Sequence, residues 1–418
     1  MLRYKQKGDL FMFLKTNETK VLRDPIHGYV HVNYDVVWKC INSKWFQRLR
    51  RIRQLGGAYM VYHTADHTRF AHSLGVYEIV RRMVTEVPDI SKILSEDEKV
   101  TVMLAGLLHD IGHGPYSHAF EQISGMSHEE YTCRIIEENT EITHILEEAK
   151  KGLSKEVADI IRHTSKNPIL TQLVSAQLDA DRMDYLLRDA YCTGTTYGEF
   201  DLERILRTLR VQDNLIVVKE SGVYAVENYI MARYHMYWQV YYHPVARSYE
   251  NLLVKVFTRF RNLARNGKVP NTIKELYPLI DKKPLSLEDY YALDEYACSY
   301  GFHLFSKSDD PILSDLASRL LNRNLFDYMD NTKESKEKIE KLLIEQGYNP
   351  KYYLAKDEVG QKPYNPYSND AGNAIWIRKH GGEIEEISKA SAIVKSIVKG
   401  PILKDDRIYY PKELEGIE

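Results

Sequence analysis

The spacing of apolar side chains predicts a mostly helical chain. Apolar residues recur every three to five positions over residues 38–55, and the same period returns over residues 74–87, where Ser73 is placed to cap a helix. Residues 99–113 are apolar on nearly every face, which predicts a buried central helix. Further helices are predicted over residues 127–138, 155–163, 168–191 and, rich in tyrosine, 227–265.

Turn residues between β-type segments predict three hairpins. The first lies over residues 20–32, the second over 215–226 with its turn at 220–222, and the third over 374–387 with its turn at 381–382. A stretch rich in Pro, Asn and Gly, residues 361–373, precedes the third hairpin. We therefore predict a mainly α fold with small β-hairpins, in which residues 1–265 form a helical core and residues 266–418 a smaller α+β lobe.

Composition and charge narrow the class of protein. The 418 residues include 57 Lys and Arg against 59 Asp and Glu, and the net charge of −2 gives no general attraction to nucleic acid or to an anionic membrane. Four cysteines far apart in the chain indicate neither a disulfide framework nor a cysteine zinc site. Residues 1–15 lack the pattern of a secretory signal, and no apolar run approaches the ~20 residues of a membrane span. We expect a cytoplasmic protein.

The pair His109–Asp110 is the first candidate for chemistry. It ends the predicted buried helix, where an ionised carboxylate costs several kcal/mol unless a cation compensates it, and a divalent metal ion is one such cation. A capped helix end is the competing interpretation of the pair taken alone. His113 follows one turn later, as in the HExxH metalloprotease motif, but the glutamate of that motif is missing, which excludes a metalloprotease.

A second candidate is the stripe formed by Asp181, Tyr185 and Asp189, which occupy positions i, i+4 and i+8 of one predicted helix. One stripe can serve one ligand, with a carboxylate for a metal ion, a ring for a sugar or base, and a carboxylate for a sugar hydroxyl. The alternative is a solvated face on which Asp184 pairs with Arg188.

Arg69 and His72 are three residues apart, so a phosphate-binding guanidinium and a metal ligand would point the same way on a helical turn. A simple surface pairing is the alternative interpretation.

Five strings in a fixed order carry a resemblance to a known family. They are DPIHG (24–28), FQRLRRIRQLGG (46–57), HTRFAHSLGV (67–76), HDIGHGPYSH (109–118) and DADRMDYLLRD (179–189). The chain resembles the HD-domain phosphohydrolases, and within them the deoxynucleoside triphosphate (dNTP) triphosphohydrolases of the branch that contains the vertebrate sterile-alpha-motif/HD-domain dNTP hydrolase. The resemblance is strong over residues 20–265 and weaker through residues 349–353 and the C-terminal lobe. It implies an HD-domain helical core.

The resemblance also assigns roles to residues. It implies that a divalent metal ion, Mg, Mn, Fe or Zn, is held by His72, His109, Asp110 and Asp181. The implied catalytic group that positions water and protonates the leaving oxygen is His113, His118, His128 and Glu129. The implied contacts to the substrate are Gln54, Leu55, Arg69, Arg182, Tyr185, Asp189, Arg233 and Tyr241. The implied reaction converts a dNTP to a deoxynucleoside and inorganic triphosphate, with Tyr241 crowding C2′ of a ribonucleotide.

Members of this family also bind regulatory nucleotides between subunits. The resemblance implies a site for a dGTP or GTP activator, and a homotetramer, with the site formed by Lys20, Val21, Asp24, Gln47 and Arg50. Two positions depart from the family pattern: Arg23 stands in place of an Asn, and Pro244 in place of a Lys.

Two other functions remain open at this point. One is a different HD phosphohydrolase, such as a nucleotidase or a hydrolase of cyclic nucleotides or alarmones. The other is a non-catalytic assembly that binds nucleotides or single-stranded nucleic acid through an arginine-rich helix carrying Arg48, Arg50, Arg51 and Arg53.

Overall fold

The computed structural model describes residues 13–268, 270–281, 283–360, 364, 374–402 and 404–417, and the side chain of His118 lies outside the described part. The α-helices are α1 (Asp35–Asn42), α2 (Lys44–Arg48), α3 (Arg69–Glu86), α4 (Pro88–Ile93), α5 (Glu96–Leu108), α6 (His118–Ser124), α7 (His128–Glu137), α8 (Glu141–Ala149), α9 (Leu153–Ile161), α10 (Pro168–Val174), α11 (Ala180–Thr193), α12 (Leu202–Thr208), α13 (Val223–Met236), α14 (Pro244–Arg265), α15 (Leu287–Ala292), α16 (Glu295–Phe305), α17 (Pro311–Leu321), α18 (Lys333–Glu345), α19 (Pro350–Tyr353), α20 (Ile387–Ala390) and α21 (Ala392–Lys399).

The strands are β1 (Lys15–Asp24), β2 (Gly28–Tyr34), β3 (Leu209–Gln212), β4 (Leu215–Lys219), β5 (Phe326–Asp330), β6 (Ala355–Gly360), β7 (Trp376–Arg378), β8 (Ile384–Glu386) and β9 (Lys404–Pro411). They form a β1–β2 hairpin and two small sheets of order β3-β4-β7-β8 and β5-β9-β6. The predicted mainly α fold with small β elements is confirmed, as are the first and third hairpins.

The buried central helix α5 is shorter than predicted. Ser95 caps its start, but it ends at Leu108 and not at His113. The hydroxyl of Thr132 donates to the carbonyl of His109 (3.0 Å) and accepts from the amide of Gly112 (2.9 Å), so a side chain of α7 replaces the next helical hydrogen bonds. The turn that carries the histidines is therefore fixed by another helix.

Two predicted helices are interrupted. The one over residues 168–191 is two helices, because Asp179 accepts from the amides of Ala176 (2.6 Å) and Arg182 (2.7 Å) and so starts α11 anew. The one over residues 227–265 is divided into α13 and α14 by a π-helical turn, Tyr237–Tyr241, and by Pro244, which has no amide proton to continue a helix.

Two finer predictions are wrong. Ser73 caps no helix, because α3 already begins at Arg69 and Ser73 is buried within it. The second hairpin turns at Asp213 and Asn214, both with positive φ (53° and 59°), whereas residues 220–222 form a 3-10 turn leading into α13. Asp and Asn tolerate the left-handed conformation of a tight two-residue turn better than most residues.

The C-terminal part is joined closely to the first 265 residues. Strand β7 pairs in parallel with β4, with Val218 opposite Ile377, so the third hairpin extends a sheet of the core. Helix α14 lies at the junction, where the hydroxyl of Ser248 donates to the carbonyl of Phe326 (2.7 Å). The predicted division at residue 265 coincides with the last residue of α14 and stays a prediction. Apart from Tyr364, residues 361–373 lie outside the described residues, as do residues 1–12 of the segment predicted to lack a signal.

The described helices also bear on whether the chain could cross a membrane. None of them combines the length and the apolar character needed to cross a bilayer.

Candidate active site

The four predicted metal ligands meet although they come from three places in the chain. His72 lies on α3, His109 and Asp110 on the turn after α5, and Asp181 in the first turn of α11. Asp181 Oδ1 is 3.1 Å from His72 Nε2 and 3.5 Å from His109 Nε2. Asp110 completes the cluster, with Oδ1 3.4 Å from His109 Nε2 and Oδ2 3.7 Å from His72 Nε2.

The electrostatics of this cluster favour a positive charge at its centre. Burial opposes protonation of His72, but Asp181, Asp184 and Asp110 outweigh it and raise its pKa to about 10. The pKa of His109 is also raised, against its burial, chiefly by Asp110 and Asp181. Burial would raise the pKa of Asp110 and of Asp181, yet their cationic neighbours hold both below the usual range of an aspartate.

The cluster fits a divalent metal ion. His109 Nε2 is buried and has no hydrogen-bond partner among the described residues, as expected of a nitrogen that would donate its lone pair to an ion. Imidazole nitrogens and carboxylate oxygens are ligands that Zn, Fe and Mn accept, and Mg less readily. We conclude that His72, His109, Asp110 and Asp181 can hold a divalent ion, whose identity the ligand set does not fix.

A second histidine group adjoins the first through Asp110. His113 Nε2 is 3.3 Å from Asp110 Oδ1, and the ring of His113 stacks on that of His128 with centroids 3.8 Å apart. Glu121 accepts from His128 Nδ1 and from its backbone amide, which fixes the ring. Burial, followed by Arg69, keeps the pKa of His113 well below the usual range of a histidine. Asp110, His113 and His128 form a second group whose nitrogen and oxygen atoms are close enough together to hold a metal ion.

Arg69 is fixed at the same point. It donates to a carboxylate oxygen of Asp110 and to Ser117 Oγ (2.8 Å from Nη2), and it is buried. Ser117 and the preceding Tyr116 both have positive φ (52° and 61°), a costly conformation that their contacts must hold in place. A buried guanidinium beside the metal ligands is suited to a phosphate group.

These side chains open into a cavity of about 680 Å³. Its lining includes the predicted site residues Gln54, Leu55, Arg69, Asp110, His113, His128, Asp181, Arg182, Tyr185, Asp189 and Tyr241. Most predicted substrate contacts therefore share one cavity with the metal ligands Asp110 and Asp181, while His72 and His109 lie behind them and are not part of its lining. We call the two histidine groups with Asp110 and Asp181 the metal end of this cavity.

The predicted sugar-binding residues form one wall. Asp189 is buried and accepts from Tyr241 (2.8 Å) and from His67 Nε2 (2.7 Å), and the rings of Tyr185 and Tyr241 meet edge to face at 6.0 Å. Burial opposes protonation of His67, but Asp189 outweighs it and raises the pKa of His67 to about 9. His67 was not identified in the sequence, although its place five residues before His72 puts it in the same string.

Three predicted site residues lie elsewhere or point elsewhere. Arg233 is outside the cavity lining and donates to Gln177 Oε1 (2.8 Å). Arg182 reaches the cavity but pairs with Asp179. Glu129 is exposed and lines a separate surface groove, while the side chain of His118 is outside the described residues.

The predicted regulatory residues lie on two elements. Lys20, Val21 and Asp24 belong to β1, where Val21 is exposed and Asp24 is buried and accepts from Arg188 (2.9 Å). Gln47 and Arg50 lie in and just after α2, where Arg50 Nε donates to Gln47 Oε1 (2.9 Å).

The arginine-rich segment is not a free basic surface. Arg48 is fully buried, donates to the carbonyls of His113 (2.8 Å) and Leu293 (2.6 Å), and lies over the ring of Tyr290. Arg51 and Arg53 form ion pairs with Asp294 and Glu295. The charges of Arg48, Arg51 and Arg53 are thus used within the fold, whereas Arg50 is exposed. This argues against a continuous basic patch for nucleic acid on this segment.

The solvated-face interpretation of Asp184 and Arg188 is also wrong. Both side chains are buried, and Asp184 Oδ2 accepts from His72 Nδ1 (2.8 Å), so it lies directly behind a metal ligand. The i, i+4 spacing is the same for a surface pair and for this buried one, so the sequence alone did not separate them.

The far wall of the cavity was not predicted at all. It consists of Arg247, Glu250 and Asn251 on α14 with Lys356 and Asp357 on β6. Arg247 Nε donates to Asp357 Oδ2 (2.7 Å), which Asn251 also approaches (3.2 Å). No motif marks these residues, and they are about a hundred positions apart in the chain.

The chain is similar in sequence to known protein families and to individual proteins. Residues 69–189 match the HD domain and residues 200–345 the HD associated region. The Bacillus subtilis protein YwfO is 46% identical over 96% of this chain and 94% of its own length. The deoxynucleoside triphosphate triphosphohydrolase SAMHD1 of Mus musculus is 28% identical over 77% of this chain and 56% of its own length.

Solved structures agree with this placement. The crystal structure of a phosphohydrolase from Bacteroides thetaiotaomicron superposes with a TM-score of 0.85 at 30% identity, covering 94% of this chain and all of its own. The likeness in sequence to the Bacillus protein and the likeness in structure to the Bacteroides protein each extend over nearly the whole chain. The match to the HD domain, residues 69–189, spans His72, His109, Asp110 and Asp181. The chain belongs to the HD-domain phosphohydrolase family.

Proposed function

We propose that this protein hydrolyses dNTPs to a deoxynucleoside and inorganic triphosphate, and so controls the dNTP pool. The observation that carries the proposal is that one cavity joins a His/Asp metal cluster to a wall formed by Tyr185, Asp189 and Tyr241. A metal cluster alone is compatible with several phosphohydrolases. The adjoining wall of one buried carboxylate and two tyrosines is suited to a sugar.

A bound divalent ion supplies Lewis acidity toward an α-phosphate oxygen and lowers the pKa of a water molecule. Arg69 lies beside Asp110 and offsets negative charge as it develops on that phosphate. Water attacks the α-phosphorus and loses a proton to the solvent, and the bond from that phosphorus to the nucleoside 5′-oxygen breaks, which releases inorganic triphosphate. His128, fixed by Glu121 and by stacking on His113, is placed to give a proton to that oxygen.

The sugar wall explains a preference for deoxyribose. Asp189 is held by Tyr241 and His67 and can accept a hydrogen bond from a sugar hydroxyl. The ring of Tyr241, braced against Tyr185, would crowd the additional hydroxyl of a ribonucleotide.

Product analysis tests the proposal. Purified protein is incubated with each dNTP and Mn²⁺, with and without EDTA and with and without dGTP as activator, and the phosphate species are identified by ³¹P NMR. We expect triphosphate, its loss with EDTA, and its loss in a His109→Ala, Asp110→Ala double variant. Release of orthophosphate or pyrophosphate would instead indicate another HD phosphohydrolase, and no release in any condition would contradict hydrolysis of dNTPs.

The proposal extends to regulation by dGTP or GTP and to a homotetramer. Its support is the resemblance at Lys20, Val21, Asp24, Gln47 and Arg50, of which Val21 is exposed on β1. Light scattering with and without dGTP measures the assembly, and an Arg50→Ala variant should lose any dGTP-dependent change while still binding metal. A single unchanging mass across all conditions would contradict this extension.

A further inference from the structure

A buried carboxylate lies behind the metal ligand His72. His72 Nδ1 is 2.8 Å from Asp184 Oδ2, while its other ring nitrogen, Nε2, faces Asp181 at 3.1 Å. A carboxylate can only accept, so Nδ1 carries the proton in this contact. Asp184 thereby leaves the lone pair of Nε2 directed toward the metal end, which is the orientation that a metal-ligating histidine requires.

The orientation of Asp184 is itself set by residues from elsewhere. Its Oδ1 accepts from His27 Nε2 (2.7 Å), and Arg188 donates to both of its oxygens (2.9 Å to Oδ2 and 2.8 Å to Oδ1). Arg188 also donates to Asp24 (2.9 Å). His27 and Asp24 belong to the turn of the β1–β2 hairpin, about 45 residues before His72 in sequence, so the hairpin is hydrogen-bonded to the metal end through Asp184.

The hairpin turn is rigid enough to hold the donor His27 and the acceptor Asp24 in place. Asp24 Oδ1 accepts from the amides of Ile26 (2.9 Å) and His27 (3.0 Å), and Gly28 has a positive φ of 72°. The side chains of His27 and Asp184 are 2% and 0% exposed, so water does not compete for their hydrogen bond.

Gly75 shows that the fold reserves space for this contact. A Cβ at position 75 would lie 1.8 Å from Asp184 Oδ1 and 2.4 Å from Arg188 Nη2. No side chain can occupy that place while Asp184 keeps its orientation. Gly75 lies on α3, less than one turn after His72, so the helix that provides the metal ligand also leaves room for the carboxylate behind it.

We propose that His27 is a positioning residue for the metal ligand His72 and acts through Asp184. Asp184 Oδ1 is shared by two donors, His27 and Arg188, on different elements. Without His27, Oδ1 of Asp184 keeps only the contact from Arg188, so the carboxylate is held less firmly and His72 Nδ1 loses an acceptor that is fixed in the correct place. The metal end then binds an ion less tightly although all four ligands are present.

This inference depends on the metal centre and not on the substrate proposed above, because metal binding is measured without nucleotide. The test compares His27→Leu, which removes the donor, with His27→Gln, whose amide can still donate to Asp184. His31→Gln is the matched control: His31 lies on the same hairpin, and its ring contacts Glu78 and not Asp184. The dissociation constant for Mn²⁺ and for Zn²⁺ is measured on metal-free protein by competition with a chelating dye, and folding is checked by circular dichroism.

We expect His27→Leu to weaken metal binding about 10- to 100-fold, which is typical for loss of a residue that orients a metal ligand. His27→Gln and His31→Gln should remain within about threefold of the unaltered protein. If His27→Leu does not fold, His27→Asn takes its place, because its shorter amide keeps a polar side chain but does not reach Asp184. Unaltered metal affinity in the Leu or Asn variant would overturn the proposal, and so would an equal loss in His27→Gln or in His31→Gln.

Discussion

At the metal end of the cavity, largely buried side chains hold one another in place, whereas the far wall, formed by α14 and β6, combines the buried Arg247 with more exposed residues. The single carboxylate of Asp110 contacts three side chains, those of Arg69, His109 and His113. On the far wall, Lys356 is exposed and Asp357 is partly exposed. The first region is a network in which one carboxylate holds several side chains, whereas the second contains the pair Arg247 and Asp357 beside an exposed lysine. We infer that the metal end sets the reaction and the far wall tunes which ligand is accepted.

The largest expected effect comes from removing a ligand at the metal end. Asp181→Ala should abolish retention of the metal ion and lower hydrolysis on the order of 10³-fold, equivalent to about 4 kcal/mol in the barrier. Metal content by mass spectrometry and the rate of triphosphate release measure the two effects. Glu156→Ala, on the exposed face of α9, should change neither. Full activity and full metal content in Asp181→Ala would show that the metal end does not hold the ion that hydrolysis needs, which would contradict its proposed difference from the far wall.

Packing at the metal end should tolerate no added methyl group. A Cβ at Gly112 would lie 2.1 Å from the amide nitrogen of Thr132 and 2.4 Å from the carbonyl oxygen of His128, and backbone atoms cannot move aside cheaply. Gly112→Ala should lower the free energy of unfolding by about 3 kcal/mol or more, measured by urea denaturation of metal-free protein. Gly381→Ala is the control, because a Cβ there would have no neighbour within 4 Å. Equal stability of the two variants would contradict the tight packing.

Between the two regions, His67 and Asp189 give a dependence of stability on pH. The pKa of His67 is raised to about 9 in the folded protein from about 6.5, so its contribution is complete below pH 6.5 and is lost as the pH rises through 9. The unaltered protein should lose about 3 kcal/mol of unfolding free energy from this group between pH 6 and pH 9.5. Urea denaturation at both pH values, repeated on His67→Gln, isolates the effect. If His67→Gln loses the same unfolding free energy between these pH values, the loss arises from other titratable groups and not from His67.

The smallest expected effect is at the far wall. Asp357→Asn should leave metal affinity unchanged and alter the ratio of kcat/KM among the four dNTPs by about 3- to 10-fold, or about 1 kcal/mol. Glu358→Gln is the matched control, since neighbouring residues of a strand point to opposite faces and Glu358 is exposed. If Asp357→Asn instead lowers metal affinity, the two regions are not separable and the comparison fails.

The strings that hold the predicted metal ligands could be picked out of the sequence for a physical reason. Each predicted ligand lies within a short string of residues at the end or on the face of a helix. The spacing of the ligand from its neighbours in the string, and the apolar residues around it, could therefore be used to infer its position and its burial. The resemblance to the HD-domain phosphohydrolases then implied that residues from separate strings hold the same metal ion. His109 and Asp110 could be recognised because an aspartate after a long apolar run needs a compensating charge.

What the sequence missed depends on partners distant in the chain. The spacing of Asp184 and Arg188 also fitted a surface pair, and only contacts with His72 and His27, 112 and 157 residues away, show that Asp184 is buried behind a metal ligand. The break before α11 depends on how Asp179 turns its carboxylate onto two amides, a choice that helical periodicity does not contain. The far wall required the contact between α14 and β6, which no local pattern encodes.

The π-helical turn between α13 and α14 has a consequence for how this tyrosine-rich wall arose. The amide of Tyr242 donates to the carbonyl of Tyr237 (2.8 Å), five residues back rather than four. A π turn is wider than an α turn by about one residue, so it resembles a single-residue insertion absorbed without unfolding the helix. It brings Tyr237, Tyr241 and Tyr242 together to the cavity, whereas a regular α-helix would carry Tyr242 well around its axis from Tyr237. The additional residue of the π turn thus allows this helical segment to line the cavity with three tyrosines.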